Sequence, residues 1–312
     1  MSLILNVIKM VLPVLTMVLI GSYAGKKQII TKTGIEGIRT VIGDITLPAV
    51  LFNAFFTAEY NLRMLLVFIC VYAGFAFALF IGFVSKRFLK PYDRFLPFLL
   101  TSAEGGMLGY ALFSLLAGNE NTSIFAIVDI GQTVFAYTLY LTFLKLADGK
   151  KTGIKDVAKD VVTNKACIGM LLGIALGATG IGGMVLSSEF SGIITELISF
   201  ITAPTSALIL LIVGFDLHFS KEIMAPVIKT AVLRIGIMAL LLVTVGSILF
   251  TITAWDKNLF MALALMYSLP APFIIPLFAD VGKDGAYVST SLSVETLVTV
   301  ILFIPLVIYS FM

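Results

Sequence analysis

One apolar run of the sequence, Leu259–Ala279, is long enough to cross a bilayer as a helix, yet it carries three prolines. Pro270, Pro272 and Pro276 each lack the backbone N–H that a helix bonds to the carbonyl four residues back. Carbonyls released in this way are tolerated at membrane depth only where they face protein or a water-filled cavity. The run therefore predicts two half-helices with a binding site between them. The alternative is a kinked but continuous helix with a structural role.

The composition predicts an all-α polytopic membrane protein. Of 312 residues, 59% are hydrophobic and the mean hydropathy is +1.08, which is too apolar for a soluble globular protein. Ten runs reach the length of a membrane-spanning helix, and we number them as spans 1 to 10 in chain order. They are Leu3–Ala24, Gly37–Ala58, Leu62–Val84, Phe95–Ala117, Ile124–Leu144, Ala166–Val185, Ile193–Phe215, Val227–Thr253, Leu259–Ala279 and Tyr287–Phe311.

The basic residues predict the orientation. Eighteen of the 21 Lys and Arg residues, Arg234 included, are assigned to the connections that follow odd-numbered spans. Basic loops remain cytoplasmic, so we expect a multi-pass protein of the cytoplasmic (plasma) membrane with both termini outside. Asp44, near the cytoplasmic end of span 2, is expected to pair with Arg39 or a lysine.

A weak internal repeat divides the chain into two halves. Residues 1–146 and 166–312 each hold five spans, joined by a charged cytoplasmic linker at 147–165. An odd number of spans per half inverts the second half in the membrane. Ile45–Pro48 in span 2 recurs as Ile201–Pro204 in span 7. We therefore predict an inverted 5+5 repeat.

The repeat predicts that span 4 is interrupted where span 9 is, because Glu104 aligns with Pro270 and glycines flank it. Two discontinuous helices would then cross near the membrane centre. The start of a half-helix presents unpaired N–H groups and a positive dipole end, which suit a carboxylate. With no Lys or Arg assigned to the crossing, dipoles and hydroxyls are expected to hold the anion. The predicted substrate-binding residues are Ser102, Gly105, Gly106, Tyr110, Tyr267, Ser268, Pro270, Ala271 and Pro272.

Three carboxylates, Glu104, Asp129 and Glu295, lie well inside spans 4, 5 and 10, where charge is costly and points to function. Polar residues recur beside them at helical spacing. We expect H⁺ or Na⁺ to couple here, with Na⁺ at Glu104 and Glu295. The alternative is that these groups are neutral and only hydrogen-bond the broken helices. The predicted cation-coupling residues are Glu104, Asp129, Gln132, Ser291 and Glu295.

Other motifs have simpler interpretations. No Walker, G-x-S-x-G or H-E-x-x-H sequence is present, so we expect no enzyme, no catalytic residues and no cofactor. The basic segment Lys150–Lys165 contains acids and no aromatic residues, so no nucleic-acid partner is expected. The glycine pairs Gly21/Gly25 and Gly173/Gly177 are predicted to allow close helix packing.

The sequence resembles the auxin efflux carrier family, which includes PIN-like carriers and bacterial malate permeases, over essentially the whole chain. The resemblance rests on Thr46–Phe52, Gly106–Tyr110 and Ser289–Ser293, together with ten spans around a central loop. It implies the inverted-repeat fold of sodium/proton antiporters and bile-acid symporters. Spans 1, 2, 6 and 7 would form a scaffold, and spans 3–5 and 8–10 a moving transport domain. It also implies organic-anion transport and a homodimer formed through the scaffold.

Three positions depart from the family pattern. Glu104 stands where the family often has Asn, Ala111 where it has Pro, and Glu295 where it has an apolar residue. A carboxylate beside an anion site repels substrate unless it is protonated or paired with a cation. We therefore expect a secondary active transporter of a small organic anion (an auxin-like carboxylate, malate or a relative), coupled to H⁺ or Na⁺. The alternatives are a cation/proton antiporter that uses the same carboxylates, and a membrane ligand sensor.

Overall fold

Long helices make up most of the chain. The computed structural model describes residues 3–58, 60–147 and 162–312, and these contain no β-strand. Most of the predicted linker at 147–165, including the lysines at 150–159, lies outside the described residues. Seven helices in the described part are long and apolar enough to cross a membrane. They are Val7–Lys26, Lys32–Phe56, Leu62–Phe88, Asn119–Ala147, Ser191–Phe215, Lys221–Ile252 and Gly282–Ser310.

These seven helices correspond to predicted spans 1, 2, 3, 5, 7, 8 and 10. Two of them contain one wider, π-helical turn, at Ile42–Thr46 and Ala136–Tyr140. Span 7 consists of two helices that adjoin at Pro204, Ser191–Thr202 and Thr205–Phe215. The Asn61 and Asp256 side chains accept hydrogen bonds from the first turns of the helices that begin spans 3 and 9, which fixes where those helices start.

The other three predicted spans correspond to shorter helices, none of which is long enough by itself to be counted among the seven. Span 6 is Lys165–Ala178 followed by Ile181–Leu186, with Gly180 between them in the left-handed region at φ +79°. Spans 4 and 9 are each interrupted near the middle. Span 4 consists of Leu96–Leu99, a π-helical turn at Gly105–Gly109 and Tyr110–Ala117, and span 9 consists of Lys257–Ser268 and Ile275–Phe278.

Two helix pairs pack with almost no space between their backbones. A Cβ added at Gly21 in span 1 would lie 2.0 Å from the Leu211 carbonyl oxygen in span 7. One added at Gly173 in span 6 would lie 2.5 Å from the Phe52 carbonyl oxygen in span 2. The predicted role of both glycine pairs in close packing is confirmed, because small residues let helix backbones approach in a membrane.

Spans 3, 5, 8, 9 and 10 pack together around the two interruptions. Aromatic rings join spans 3, 5 and 9 in this contact. Phe75 in span 3 is fully buried, with ring centroids 5.8 Å from Phe135 and 5.4 Å from Tyr267. These rings fill the space beside the interrupted backbones, although the buried Tyr267 hydroxyl has no hydrogen-bond partner among the described residues.

We predict that Gly173→Ala lowers the thermal unfolding midpoint of the detergent-solubilised protein. The new methyl group would overlap a backbone oxygen, and overpacking of this kind typically costs about 1–3 kcal/mol. Gly236→Ala in span 8 is the matched control, because its Cβ would meet nothing within 4 Å and alanine favours the helix. Equal midpoints for the two variants would contradict the close packing.

Candidate functional site at the two helix interruptions

The interruption in span 4 is a non-helical stretch with an unusual backbone conformation at Ser102. This serine has φ +61°, a region that non-glycine residues seldom adopt, and it is fully buried. The neighbouring Thr101 hydroxyl donates to the carbonyl of Phe75 in span 3, at 3.1 Å. Surrounding contacts therefore hold the stretch in a conformation that the isolated chain would avoid.

The interruption in span 9 follows from its prolines. Pro270 and Pro272 have no N–H, so the helix ends at Ser268 and no helix is formed again before Ile275. The carbonyl of Ser268, which a proline leaves without its helical donor, accepts a hydrogen bond from the Thr299 hydroxyl of span 10. A side chain from another helix thus replaces the missing backbone bond, as buried polar groups require.

The two interruptions touch each other. The Glu104 backbone N–H donates to the Pro270 carbonyl at 2.9 Å. This bond joins the residues that the sequence repeat aligns. Chain segments 166 positions apart therefore share one backbone hydrogen bond inside the apolar core.

Two glutamates occupy the backbone donors of span 9. Glu104 Oε2 accepts from the Phe273 N–H at 2.7 Å, and Glu295 Oε2 accepts from the Ala271 N–H at 2.9 Å. Both carboxylates are buried, with 8% and 3% of their surface exposed. Backbone N–H groups are thus bound to carboxylates at the interruption, which is the chemistry that an organic acid would use.

Arg234 lies at the crossing, which corrects two expectations. The sequence assigned it to a basic cytoplasmic connection and placed no basic residue at the crossing. It lies instead inside Met224–Ile252 and is 4% exposed. An isolated arginine ten positions inside an apolar helix was the available signal. Its guanidinium donates to the carbonyls of Leu99 (2.9 Å), Thr101 (3.4 Å), Ser102 (2.6 Å) and Leu269 (2.8 Å), and its Nε lies 3.6 Å from Glu295 Oε2.

The polar side chains Asp129, Gln132 and Thr133 of span 5 lie beside the interruption in span 4. The Gln132 amide donates to the Ser102 hydroxyl at 3.0 Å and to the Ala103 carbonyl at 2.6 Å. Thr133 donates to Asp129 Oδ2 at 3.2 Å. Asp129 Oδ1 has no hydrogen-bond partner among the described residues, and it lies so close to Gly105 that an added Cβ would be 2.1 Å away.

The polar side chains Ser291, Glu295 and Thr299, spaced four residues apart on span 10, lie beside the interruption in span 9. Glu295 and Thr299 both bond the span 9 backbone, through Ala271 and Ser268. Ser291, one turn earlier, is 1% exposed, and its hydroxyl has no partner among the described residues. Glu295 Oε1 also lacks a partner there. Two of the predicted cation-coupling carboxylates, Asp129 and Glu295, therefore have one unoccupied oxygen each.

Three cavities surround the crossing and divide the predicted substrate-binding residues. Tyr110 lines an outer cavity of about 660 Å³ between spans 2, 4 and 7. Tyr267 and Ser268 line an apolar cavity of about 260 Å³ between spans 8 and 10, which reaches Arg234. Ser102, Gly105, Pro270, Ala271 and Pro272 are buried where the interruptions meet, and Gly106 is half-buried beside them.

An inner cavity of about 240 Å³ reaches the crossing from the predicted cytoplasmic side. It is lined by Phe273, by hydroxyls of span 10 and, at its mouth, by an ion pair between Arg39 and Asp216. Burial raises the pKa of the Asp216 carboxyl above its ordinary value, and Arg39 opposes that rise. Asp44 pairs with Lys165 at the end of span 2, so the expected pairing with a lysine is confirmed.

The family assignment agrees with this geometry. The sequence profile of a family described as membrane transport protein matches residues 6–309. The chain belongs to this family. The resemblance to auxin efflux carriers is thereby confirmed, and the protein is a multi-pass membrane transporter. None of the curated proteins compared matches the chain.

In this membrane transport protein, substitutions at two adjacent glycines test the close contact between span 4 and Asp129. Gly105→Ala is predicted to lower the thermal unfolding midpoint and to displace Asp129, because its methyl would overlap Oδ1. Gly106→Ala serves as the control, since no atom lies within 4 Å of its added Cβ. A Gly105→Ala protein as stable as Gly106→Ala would show that Asp129 does not lie there.

A second prediction concerns the hydrogen bonds that the Arg234 guanidinium donates to the two interruptions. Arg234→Lys keeps the charge but replaces the five N–H donors of the guanidinium by three on one nitrogen, so it cannot serve all four carbonyls and Glu295. Each buried carbonyl left without a donor costs about 1–3 kcal/mol. We predict a marked fall in the thermal unfolding midpoint. Arg63→Lys is the control, because its partly exposed pair with Asp256 contributes about 0–1 kcal/mol. Similar midpoints for both variants would contradict the role of Arg234.

Proposed function

We propose that this transporter carries a small organic anion by alternating access, coupled to H⁺ or Na⁺. The observation that carries the proposal is the pair of backbone N–H groups at the span 9 interruption, each bonded to a carboxylate in an apolar core. Groups that hold two glutamate carboxylates are chemically suited to hold the carboxylate of a solute. Auxin-like acids, malate and related compounds belong to this class.

The cavities support alternating access. The outer cavity reaches Tyr110 in the second half of span 4, and the inner cavity reaches Phe273 in the span 9 interruption. Both therefore approach the crossing, from opposite predicted sides of the membrane. A movement that opens one and closes the other would expose one site to each side in turn.

The packing supports a division into a scaffold and a moving transport domain. We propose that spans 1, 2, 6 and 7 form a scaffold, because their helices meet at the close glycine contacts of Gly21 and Gly173. Spans 3–5 and 8–10 would form the transport domain, with 1–146 and 166–312 as inverted repeats and 147–165 as linker. Phe200 on span 7 is 84% exposed, and this scaffold face is proposed as the homodimer contact.

The orientation remains the one that the basic connections predict. We propose both termini outside and the plasma membrane as the location. Removing Arg234 from the count of cytoplasmic basic residues leaves the asymmetry intact, because the sparse side holds only Lys9, Arg63 and Lys257.

Coupling is proposed at the buried carboxylates. Asp129 Oδ1 and Glu295 Oε1 have no partner among the described residues, so each can accept a proton or face a cation. Glu104, Gln132 and Ser291 lie in the same cluster. The same two oxygens favour a second candidate, a cation/proton antiporter in which these carboxylates bind the only transported species.

Flux measurements distinguish the two candidates. We predict uptake of labelled malate or indole-3-acetate into proteoliposomes, accelerated by an imposed pH or Na⁺ gradient. Glu104→Gln should keep part of the binding and lose the gradient dependence, because the variant cannot change charge. Glu222→Gln, on the exposed surface, is the control.

Cation exchange without flux of any organic acid would favour the antiporter. Unchanged gradient dependence in Glu104→Gln would overturn the coupling role of that residue.

A further inference from the structure

The segment Pro270–Phe273 has only two backbone donors to offer. Residues 270 and 272 are prolines, so the N–H groups of Ala271 and Phe273 are the whole supply. Both already donate to carboxylates of the chain itself. A solute carboxylate can therefore bond this segment only by replacing a glutamate.

The two glutamates are held differently. Glu295 accepts from the fully buried Ala271 and lies 3.6 Å from the guanidinium of Arg234, which is itself tied to four carbonyls. Glu104 accepts from Phe273, which is only half-buried and lines the inner cavity. Of the two donors, only the Phe273 N–H belongs to a residue that lines the inner cavity, so we take it as the donor that a solute would reach.

We propose that the Glu104 carboxylate acts as an internal substitute for the transported anion. It holds the Phe273 N–H while the site is empty. When a carboxylate enters from the inner cavity, Glu104 takes up one proton from solution and releases the N–H, which then bonds the solute. The proposal rests on the proposed function and adds how anion and proton are linked.

This exchange keeps the charge of the site constant. The empty site contains an ionised Glu104, and the loaded site contains a neutral Glu104 and a bound anion. A monocarboxylate would thus enter together with one proton and without net charge. Movement of empty and loaded forms across an apolar barrier would then cost similar electrostatic energy.

Several ionisable groups share the surroundings of Glu104 and can contribute to any pH dependence. Asp129 is an acidic neighbour, and its charge interacts with that of Glu104. Tyr137 and Tyr140, also in span 5, interact electrostatically with Glu104 as well. Arg234 in span 8 and Glu295 in span 10 are further charged groups that bond the same two interruptions.

The inner cavity defines the class of anion. At about 240 Å³ it is smaller than most ligand pockets, and its lining combines valine and leucine side chains with the hydroxyls of Ser289, Ser293 and Thr296. Such a lining suits a small monocarboxylate with a partly apolar body. Arg39, ion-paired with Asp216, and His218 both line this cavity, so two basic side chains lie on the path of entry.

The test is to count protons released or taken up on binding. Titration calorimetry of the purified protein with indole-3-acetate and with lactate, in two buffers of different ionisation enthalpy, gives that count. The wild type should take up about one proton per anion bound, and anion affinity should fall about tenfold per pH unit where Glu104 ionises. Glu104→Gln should take up about none, and Glu222→Gln should match the wild type.

The outcomes separate the inference from the function. If neither acid binds and neither is transported, the proposed anion transport is overturned. Two results would overturn the proposal that Glu104 takes the place of the anion, while leaving anion transport intact. One is binding of an acid by the wild type without proton uptake, and the other is equal proton uptake by Glu104→Gln and the wild type. The number of protons that the wild type takes up per anion bound is measured without any variant, so the test remains valid even if Glu104→Gln misfolds.

Discussion

The guanidinium of Arg234 makes the interrupted helices compatible with an apolar surrounding. Interrupting a helix leaves carbonyls without their helical donors, and each is costly in a low dielectric. One buried side chain supplies donors to four of them, three from span 4 and Leu269 from span 9, and Glu295 balances its charge. The contact of the two interruptions, recorded in the bond from Glu104 to Pro270, depends on this arrangement.

The two glutamates bond residues of span 9 that differ in their access to a cavity, because Ala271 is fully buried and Phe273 lines the inner cavity. Glu295 is bound on two sides, by Arg234 and by the Ala271 N–H, so it stabilises the structure as a permanent partner. Glu104 bonds an N–H at the edge of a cavity. In the proposed mechanism this asymmetry separates the part that holds the crossing together from the part that binds substrate. Neither role needs a free positive charge at the substrate.

The sequence predicted what depends on local backbone chemistry. Single prolines, Pro13 and Pro305, lie inside helices, but Pro270 and Pro272 are only two positions apart, so the interruption of span 9 could be predicted from their spacing. The close approach at Gly173 follows from small residues at one helical face. The position of Arg234 was mispredicted because the count of basic residues assigned it to the connection before span 8, although the predicted span Val227–Thr253 includes it. Its partners lie more than 30 positions away in sequence, in Leu269 and span 4. Which cavity each predicted residue faces, as with Tyr110 and Tyr267, is likewise set by helix packing.

The most direct test of the account is an experimental density map of the protein with a transported carboxylate bound. The account predicts the ligand carboxylate within hydrogen-bond distance of the Phe273 N–H, the Glu104 side chain turned away from it, and Arg234 still bonded to both interruptions. A ligand bound elsewhere while Glu104 keeps its bond to Phe273, or continuous helices through spans 4 and 9, would contradict it.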